Sequence, residues 1–156
     1  MATTNNRRRF ENKICLVTGS STGIGYGICK KFAEEGGTVI ISSRKQNNVD
    51  AAVQKLRALG LDAHGCVCHV SKKDHRQNLF NFIKEKFGRL DILVPNAAVS
   101  THFGTVLEIT EKAFDKIIDV NLKSVFFMIK EFMPLIPKGG GELFCRFHLF
   151  YRFLRL

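Results

Sequence analysis

The apolar run Ile14-Cys15-Leu16-Val17 passes directly into Thr18-Gly19-Ser20-Ser21-Thr22-Gly23-Ile24-Gly25, and this junction constrains the fold more than any other part of the chain. A short apolar run bounded by turn residues has the length of a buried strand. Helical spacing begins immediately after the glycines, with Ile24, Ile28, Phe32 and Ala33 as the expected apolar stripe, and Gly36-Gly37 past its end.

The same alternation repeats along the chain. Residues 38–42 predict a β-branched strand, and Val49, Ala52, Val53 and Leu56 mark a second helix closed by Gly60. Residues 63–70 read as a third strand. Residues 73–87 predict a third helix that turns Phe80, Ile83 and Phe87 inward, and residues 91–94 a fourth strand stopped by Pro95. A single long helix is expected over residues 108–132, with Phe114, Ile117, Ile118, Val125, Met128, Ile129 and Phe132 on one stripe, Asn121 falling on that stripe, and Pro134 and Pro137 beyond its end. Strands apolar along their length and separated by helices imply an α/β chain with a doubly wound, Rossmann-type parallel sheet covered on both faces.

The chain has 156 residues, 24 Lys+Arg against 14 Asp+Glu, and a net charge of +10. That excess suits a nucleic acid, an anionic membrane or an anionic small ligand, and charge alone does not choose among them. No apolar run approaches the roughly 20 residues of a membrane-spanning helix. Five cysteines, an odd number without a secretory hydrophobic segment, predict a reducing compartment rather than a disulfide framework. His64, Cys66, Cys68 and His69 have the residue types of a metal site. On one extended strand, however, His64 and Cys68 lie roughly 13 Å apart and His69 points to the opposite face, so no metal is expected.

Glycines between a strand and a helix let the backbone approach a pyrophosphate, whose charge the helix N-terminus favours. The spacing here is G-x-x-x-G-x-G over Gly19, Gly23 and Gly25, with Thr18, Ser21, Thr22 and Ile24 interleaved. The end of the second strand decides which dinucleotide fits, because a carboxylate there would accept the ribose hydroxyls and repel a 2′-phosphate. Ser42-Ser43-Arg44-Lys45 offers hydroxyls and two cations instead. Guanidinium pairs with phosphate through charge-assisted hydrogen bonds, so NADP(H) is the expected cofactor and no nucleic-acid partner is expected.

These residues resemble the short-chain dehydrogenases/reductases. Thr18 to Gly25 matches that family's T-G-x-x-x-G-I-G motif, Asn96-Ala97-Ala98-Val99 resembles its N-A-G segment, and Val120-Asn121-Leu122 its helix asparagine motif. Ser42 to Asp50, Cys68-His69-Val70 and Asp91 to Val99 are most similar to the NADPH-dependent carbonyl and retinal reductase branch. The resemblance implies that Gly19, Thr22 and Ile24 line the pyrophosphate and that Ser43, Arg44 and Lys45 hold the 2′-phosphate. It places His69 and Val70 beside the adenine, and Asn96, Ala97 and Ala98 beside the nicotinamide ribose, with Ala98 where glycine is commoner. Asn121 would open its helix to a water that serves a proton relay. The substrate implied is a small carbonyl or alcohol, and the family is commonly homo-oligomeric.

The same resemblance also requires a serine and a Tyr-x-x-x-Lys pair after the Gly139-Gly140-Gly141 turn, and neither follows it. Residues 142–156 are rich in Phe and Arg, contain no Ser or Thr, and fit neither strand alternation nor a helix stripe. Tyr151 has Arg155 four residues on, but it comes too early for the family's catalytic acid, and arginine does not deprotonate in proteins. The expectation is a basic arm over residues 1–12, an NADP-binding domain over 13–141 and an aberrant tail over 142–156. On this reading the fold is truncated before the catalytic residues, and its uncovered apolar surface makes it poorly soluble. The last residues, Leu154-Arg155-Leu156, only partly match a peroxisomal signal, which leaves cytoplasm and peroxisome both open.

Overall fold

The computed structural model describes residues 8–138 and 142–143. Most of the basic arm, the turn at Gly139 to Gly141, and the tail from residue 144 with Tyr151 and Arg155 lie outside the described residues.

Strands β1 (Ile14–Thr18), β2 (Thr38–Ser43), β3 (Ala63–Val67), β4 (Ile92–Val94) and β5 (Glu142–Leu143) form one sheet in the order β3-β2-β1-β4-β5, and every pairing is parallel. Helices α1 (Gly23–Glu34), α2 (Gln46–Arg57) and α3 (Lys73–Phe87) provide the crossovers. The chain winds one way from β1 through β2 to β3 and then returns to the other side of β1 with β4. The two halves diverge between β1 and β4, so a crevice opens there at the C-terminal strand ends, where such sheets bind ligands.

Alternation along each strand divides the core into two layers. Cys15, Val17, Val39, Ile41, Ile92 and Val94 face α1 and α2, where Cys29, Ala33, Val49, Ala52, Val53 and Leu56 meet them. Leu16, Ile40 and Leu93 face the opposite layer, against Leu79 and Ile83 of α3 and Met128 and Phe132 further on. At the other end of the strands buried Asp91 ties the starts of β1 and β4 together, accepting from the Ile14 amide at 2.9 Å and the Arg89 Nε at 3.1 Å.

Several expectations need correction. The buried stripe of α1 is Gly25, Cys29 and Ala33, while Ile24 is 60% exposed at the crevice mouth. The third strand ends at Val67: the Cys68 amide makes the last bond of the ladder, to the Ser43 carbonyl, and the chain then turns as the Lys72 amide bonds back to the His69 carbonyl. Helix α3 has the expected span, but Leu79 is fully buried with Ile83, while Phe80 and Phe87 pack only at the margin of that layer.

The long helix over residues 108–132 is three segments: α4 (Glu111–Ile118), a π-helical turn (Asp119–Lys123) and α5 (Ser124–Phe132). Thr110 caps α4 by accepting the Ala113 amide at 3.2 Å, which sets its start three residues late. The inserted π turn advances the face by part of a turn. Val125, Met128 and Phe132 are therefore packed rather than uncovered, whereas Phe114 is 43% exposed and, with Leu122, Phe126 and Met133, forms a separate exposed apolar face. Met133–Leu135 forms a 3₁₀ turn containing Pro134.

Candidate cofactor site

The glycine turn is shaped by close approaches that no side chain could share. Gly19 has φ +62° and its position for a Cβ lies 2.8 Å from the Ala97 Cα, while a Cβ at Gly25 would lie 2.5 Å from the Asn96 Nδ2 and 2.7 Å from the Gly19 carbonyl oxygen. Gly23, at φ +60°, has open space around it and is required by its backbone conformation instead. Helix α1 starts at this residue with no side-chain cap and no acid in its first turn. Its leading N–H groups and positive dipole end thus face the crevice uncompensated, the arrangement that binds a phosphate.

Polar contacts lock the turn to both neighbouring strands. Thr18, almost fully buried, accepts the Asn96 and Ala97 amides on its Oγ1 at 3.1 and 3.0 Å. The Asn96 side chain donates back to the carbonyls of Thr18 and Gly19. On the β2 side the Ser20 hydroxyl donates to the Val17 carbonyl at 2.6 Å and accepts the Ser42 amide at 3.0 Å. The Ser21 and Ser43 hydroxyls lie 3.1 Å apart in a hydrogen bond.

The resulting cleft has a volume of about 450 Å³. It gathers Gly19, Ser21, Thr22, Ile24 and Gly25 of the turn with Ser43 and Arg44 at the end of β2. His69 and Val70 come from the loop after β3, and Asn96, Ala97 and Ala98 from the loop after β4. Thr18, Gly23, Lys45 and Asn121 do not line it: Thr18 and Gly23 shape the turn, and Lys45 is the exposed residue preceding α2. Ala98 adopts no left-handed backbone, so alanine fits where glycine is commoner. Asn48, Cys68, Val99, Lys116 and Val120 are lining residues that motif reasoning missed. Lys116 and Val120, one helical turn apart, could have been found from the helix spacing, but the fold alone brings that face to the cleft.

Asn121 is buried in the π turn, and its side chain is committed to one residue. Its Oδ1 accepts the Val99 amide at 2.8 Å while its Nδ2 donates to the Val99 carbonyl at 2.9 Å. The amide therefore staples the β4 loop to the helix.

The cleft lining contains no carboxylate, while Arg44 and Lys116 are cationic. Burial, then the charges of Lys116, Arg44, Lys72 and His75, hold the His69 imidazole below its usual range. Its Nδ1 is buried without a protein partner, as is the Ser42 hydroxyl. An acid-free cradle with uncapped helix amides and an unpaired buried nitrogen fits an anionic, hydrogen-bonding ligand of dinucleotide type. Burial pushes the Cys68 thiol up to about 12, as it does those of Cys15 and Cys29, so none is poised as a nucleophile. His64 lies at the far end of β3, bonded to Lys86 at 2.9 Å and to Asp62 at 3.1 Å, away from Cys68 and His69. Among the described residues no cluster of three or more metal-ligating side chains occurs, and no helix is long and apolar enough to cross a membrane. A larger depression of about 770 Å³ runs along α4 and meets the cleft only at Lys116.

The strand order and the glycine cradle define a Rossmann-type nucleotide-binding fold. Residues 13–143 match the short chain dehydrogenase family model, and the chain belongs to that family of oxidoreductases. It is 44% identical over 137 residues to the short-chain dehydrogenase/reductase SDRA of Arabidopsis thaliana, covering 88% of this chain and 54% of that one. It is 43% identical over 143 residues to dehydrogenase/reductase SDR family member 4 of Homo sapiens, covering 90% and 51% respectively. A metagenomic short-chain oxidoreductase solved in complex with NADP superposes with a TM-score of 0.78 at 27% identity, covering 86% of this chain and 61% of that one. The chain spans about half the length of the curated relatives it matches.

Proposed function

We propose that residues 13–141 bind NADP(H), with the pyrophosphate on the glycine turn and the 2′-phosphate at the end of β2. The observation that carries this is the acid-free cleft whose β2 corner presents Ser43 and Arg44. A 2′-phosphate there gains charge-assisted hydrogen bonds from Arg44 and Lys45, whereas NADH leaves both cations solvated. Gly19, Ser21, Thr22, Gly23, Ile24 and Gly25 cradle the diphosphate, His69 and Val70 border the adenine, and Asn96, Ala97 and Ala98 flank the nicotinamide ribose. Thr18 and Asn121 act indirectly, by holding the two loops that form the walls. The NADP complex of the metagenomic relative supports the choice of dinucleotide.

The reaction we infer for the protein's line is reduction of a ketone or aldehyde carbonyl, in the manner of a carbonyl reductase. When bound, the cofactor supplies a hydride; this chain's residues bind and orient it. Within these 156 residues no serine and no Tyr-x-x-x-Lys pair follows Gly141, the groups that would orient and protonate the substrate oxygen in such a reaction. The second reading is a non-catalytic dinucleotide-binding module, with turnover in a form carrying those residues or in partnership with a full-length relative.

Titration calorimetry with NADPH and NADH tests the cofactor reading. NADPH binds more tightly to the unmutated chain, and Arg44→Ala/Lys45→Ala reduces that preference by a few kcal/mol if both phosphate contacts form. Equal affinity for the two dinucleotides before mutation would refute it.

A further inference from the structure

Two walls of the cleft are held from behind by one kinked helix. Asn121 fixes Val99 of the β4 loop, and ten residues further on Glu131 of α5 reaches the other wall through Arg76 of α3. Arg76 is 5% exposed, and its guanidinium makes three kinds of contact. Nε and Nη2 form a fork on the two Glu131 carboxylate oxygens at 2.8 and 2.9 Å. Nη1 donates to the Val70 carbonyl at 2.7 Å, and the guanidinium carbon lies 5.3 Å from the centre of the Phe127 ring.

A buried ion pair is weak evidence of a stabilising role, because a well-packed apolar pair of the same volume often serves as well. What an apolar pair cannot do is donate to Val70. That residue and its neighbours Cys68 and His69 line the cleft, and the last ladder bond to β2 is made by the Cys68 amide, so His69 and Val70 lie beyond the reach of the sheet. Arg76 lies behind the wall with its charge already met by Glu131, so it is not itself a ligand of the bound anion.

We propose that Arg76 is a positioning residue of the cofactor cleft, its fork on Glu131 aiming Nη1 at the Val70 carbonyl so that the β3–α3 loop is fixed to α5. The inference rests on the cleft being a dinucleotide site. It assigns to the adenosine half of that site a support independent of the glycine turn.

The test is the full chain carrying Arg76→Met together with Glu131→Met, which removes both charges and leaves neither unpaired. Amide exchange of residues 68–72 is followed without ligand, and 2′,5′-ADP and NADPH are titrated. Loop exchange is expected to quicken and 2′,5′-ADP affinity to fall about tenfold, the effect of one lost buried hydrogen bond, with a fall in the urea midpoint no larger than the unpaired Val70 carbonyl requires. Unchanged loop exchange and affinity in a folded double variant overturn the proposal. Arg76→Lys, which keeps a cation beside Glu131 but has no fork, is read in the same way if the double variant does not fold; it should also loosen the loop, and unchanged exchange and affinity overturn the proposal. Failure of the unmutated chain to bind either ligand overturns the dinucleotide reading and the positioning role with it, whereas a loop loosened by the variants still shows the Arg76 clamp.

Discussion

Gly25 and Gly27 lie two residues apart in the interior of α1 and invite the same substitution with opposite results. Alanine is the better helix former by about 1 kcal/mol at either position, so that gain is common to both and cancels in the comparison. A Cβ at Gly27 meets nothing within 4 Å. At Gly25 it would meet the Asn96 Nδ2 at 2.5 Å, the Gly19 carbonyl oxygen at 2.7 Å and the Ser20 Cα at 2.8 Å. These are about 1 Å inside ordinary carbon contact, and two of the three atoms are backbone, so α1 and the turn must separate. Overpacking of this kind costs roughly 1–3 kcal/mol, and the displaced Asn96 amide also weakens its two bonds to Thr18 and Gly19. Gly25→Ala is thus expected to unfold roughly 2–12 °C below Gly27→Ala. Thermal unfolding of the two variants, together with NADPH titration, reads both consequences: Gly27→Ala is at least as stable as the unmutated chain and binds equally well, and Gly25→Ala binds poorly. Equal melting temperatures would show that the turn has slack and that the close packing of glycine against the β4 loop is not what the site requires.

Asn121→Ala leaves the Val99 amide and carbonyl without their partners and is expected to cost about 1–3 kcal/mol in urea unfolding, with faster amide exchange around Val99. His64 and His69 are both held below their ordinary value of 6.5 in the folded chain, burial being the first cause for each. The unfolded chain therefore binds more protons as the pH falls through that value, and stability, full above it, declines on the acid side. Urea midpoints measured between about pH 7.5 and 5.5 should show this slope, and His64→Gln/His69→Gln should flatten it. NADPH oxidation with aldehydes, α-dicarbonyls and retinal should stay near background for the 156-residue chain, since a missing general acid alone removes roughly 10²- to 10⁴-fold. Robust turnover that disappears in Tyr151→Phe would make that tyrosine the acid.

The order of strands and helices was legible in the sequence because each piece carried a local signal of its own: β-branched runs, helical spacing in Val49 to Leu56, and glycines at helix ends. The glycine turn and the cations after β2 were legible because the chemistry of a phosphate cradle needs those residue types within a few positions of a strand end. Element boundaries were less so. Apolar character continues to Val70, although the ladder ends with the Cys68 amide on the Ser43 carbonyl and the chain turns at His69. The apolar spacing over residues 108–132 runs on as one stripe because a π turn leaves no mark on composition.

What the sequence determined by itself is the set of short-range arrangements: a buried strand, a turn that only glycine can make, and a corner without acid. Tertiary structure alone decided what stands opposite them. Lys116 and Val120 reach the cleft, Asn121 holds Val99, and Arg76, bonded to Val70, pairs with Glu131 55 residues further along the chain. The physical reason is the range of the interactions. Backbone conformation and periodic burial act over a few residues and are written in local spacing, whereas a hydrogen bond between distant segments exists only after the sheet has placed both ends within 3 Å of each other.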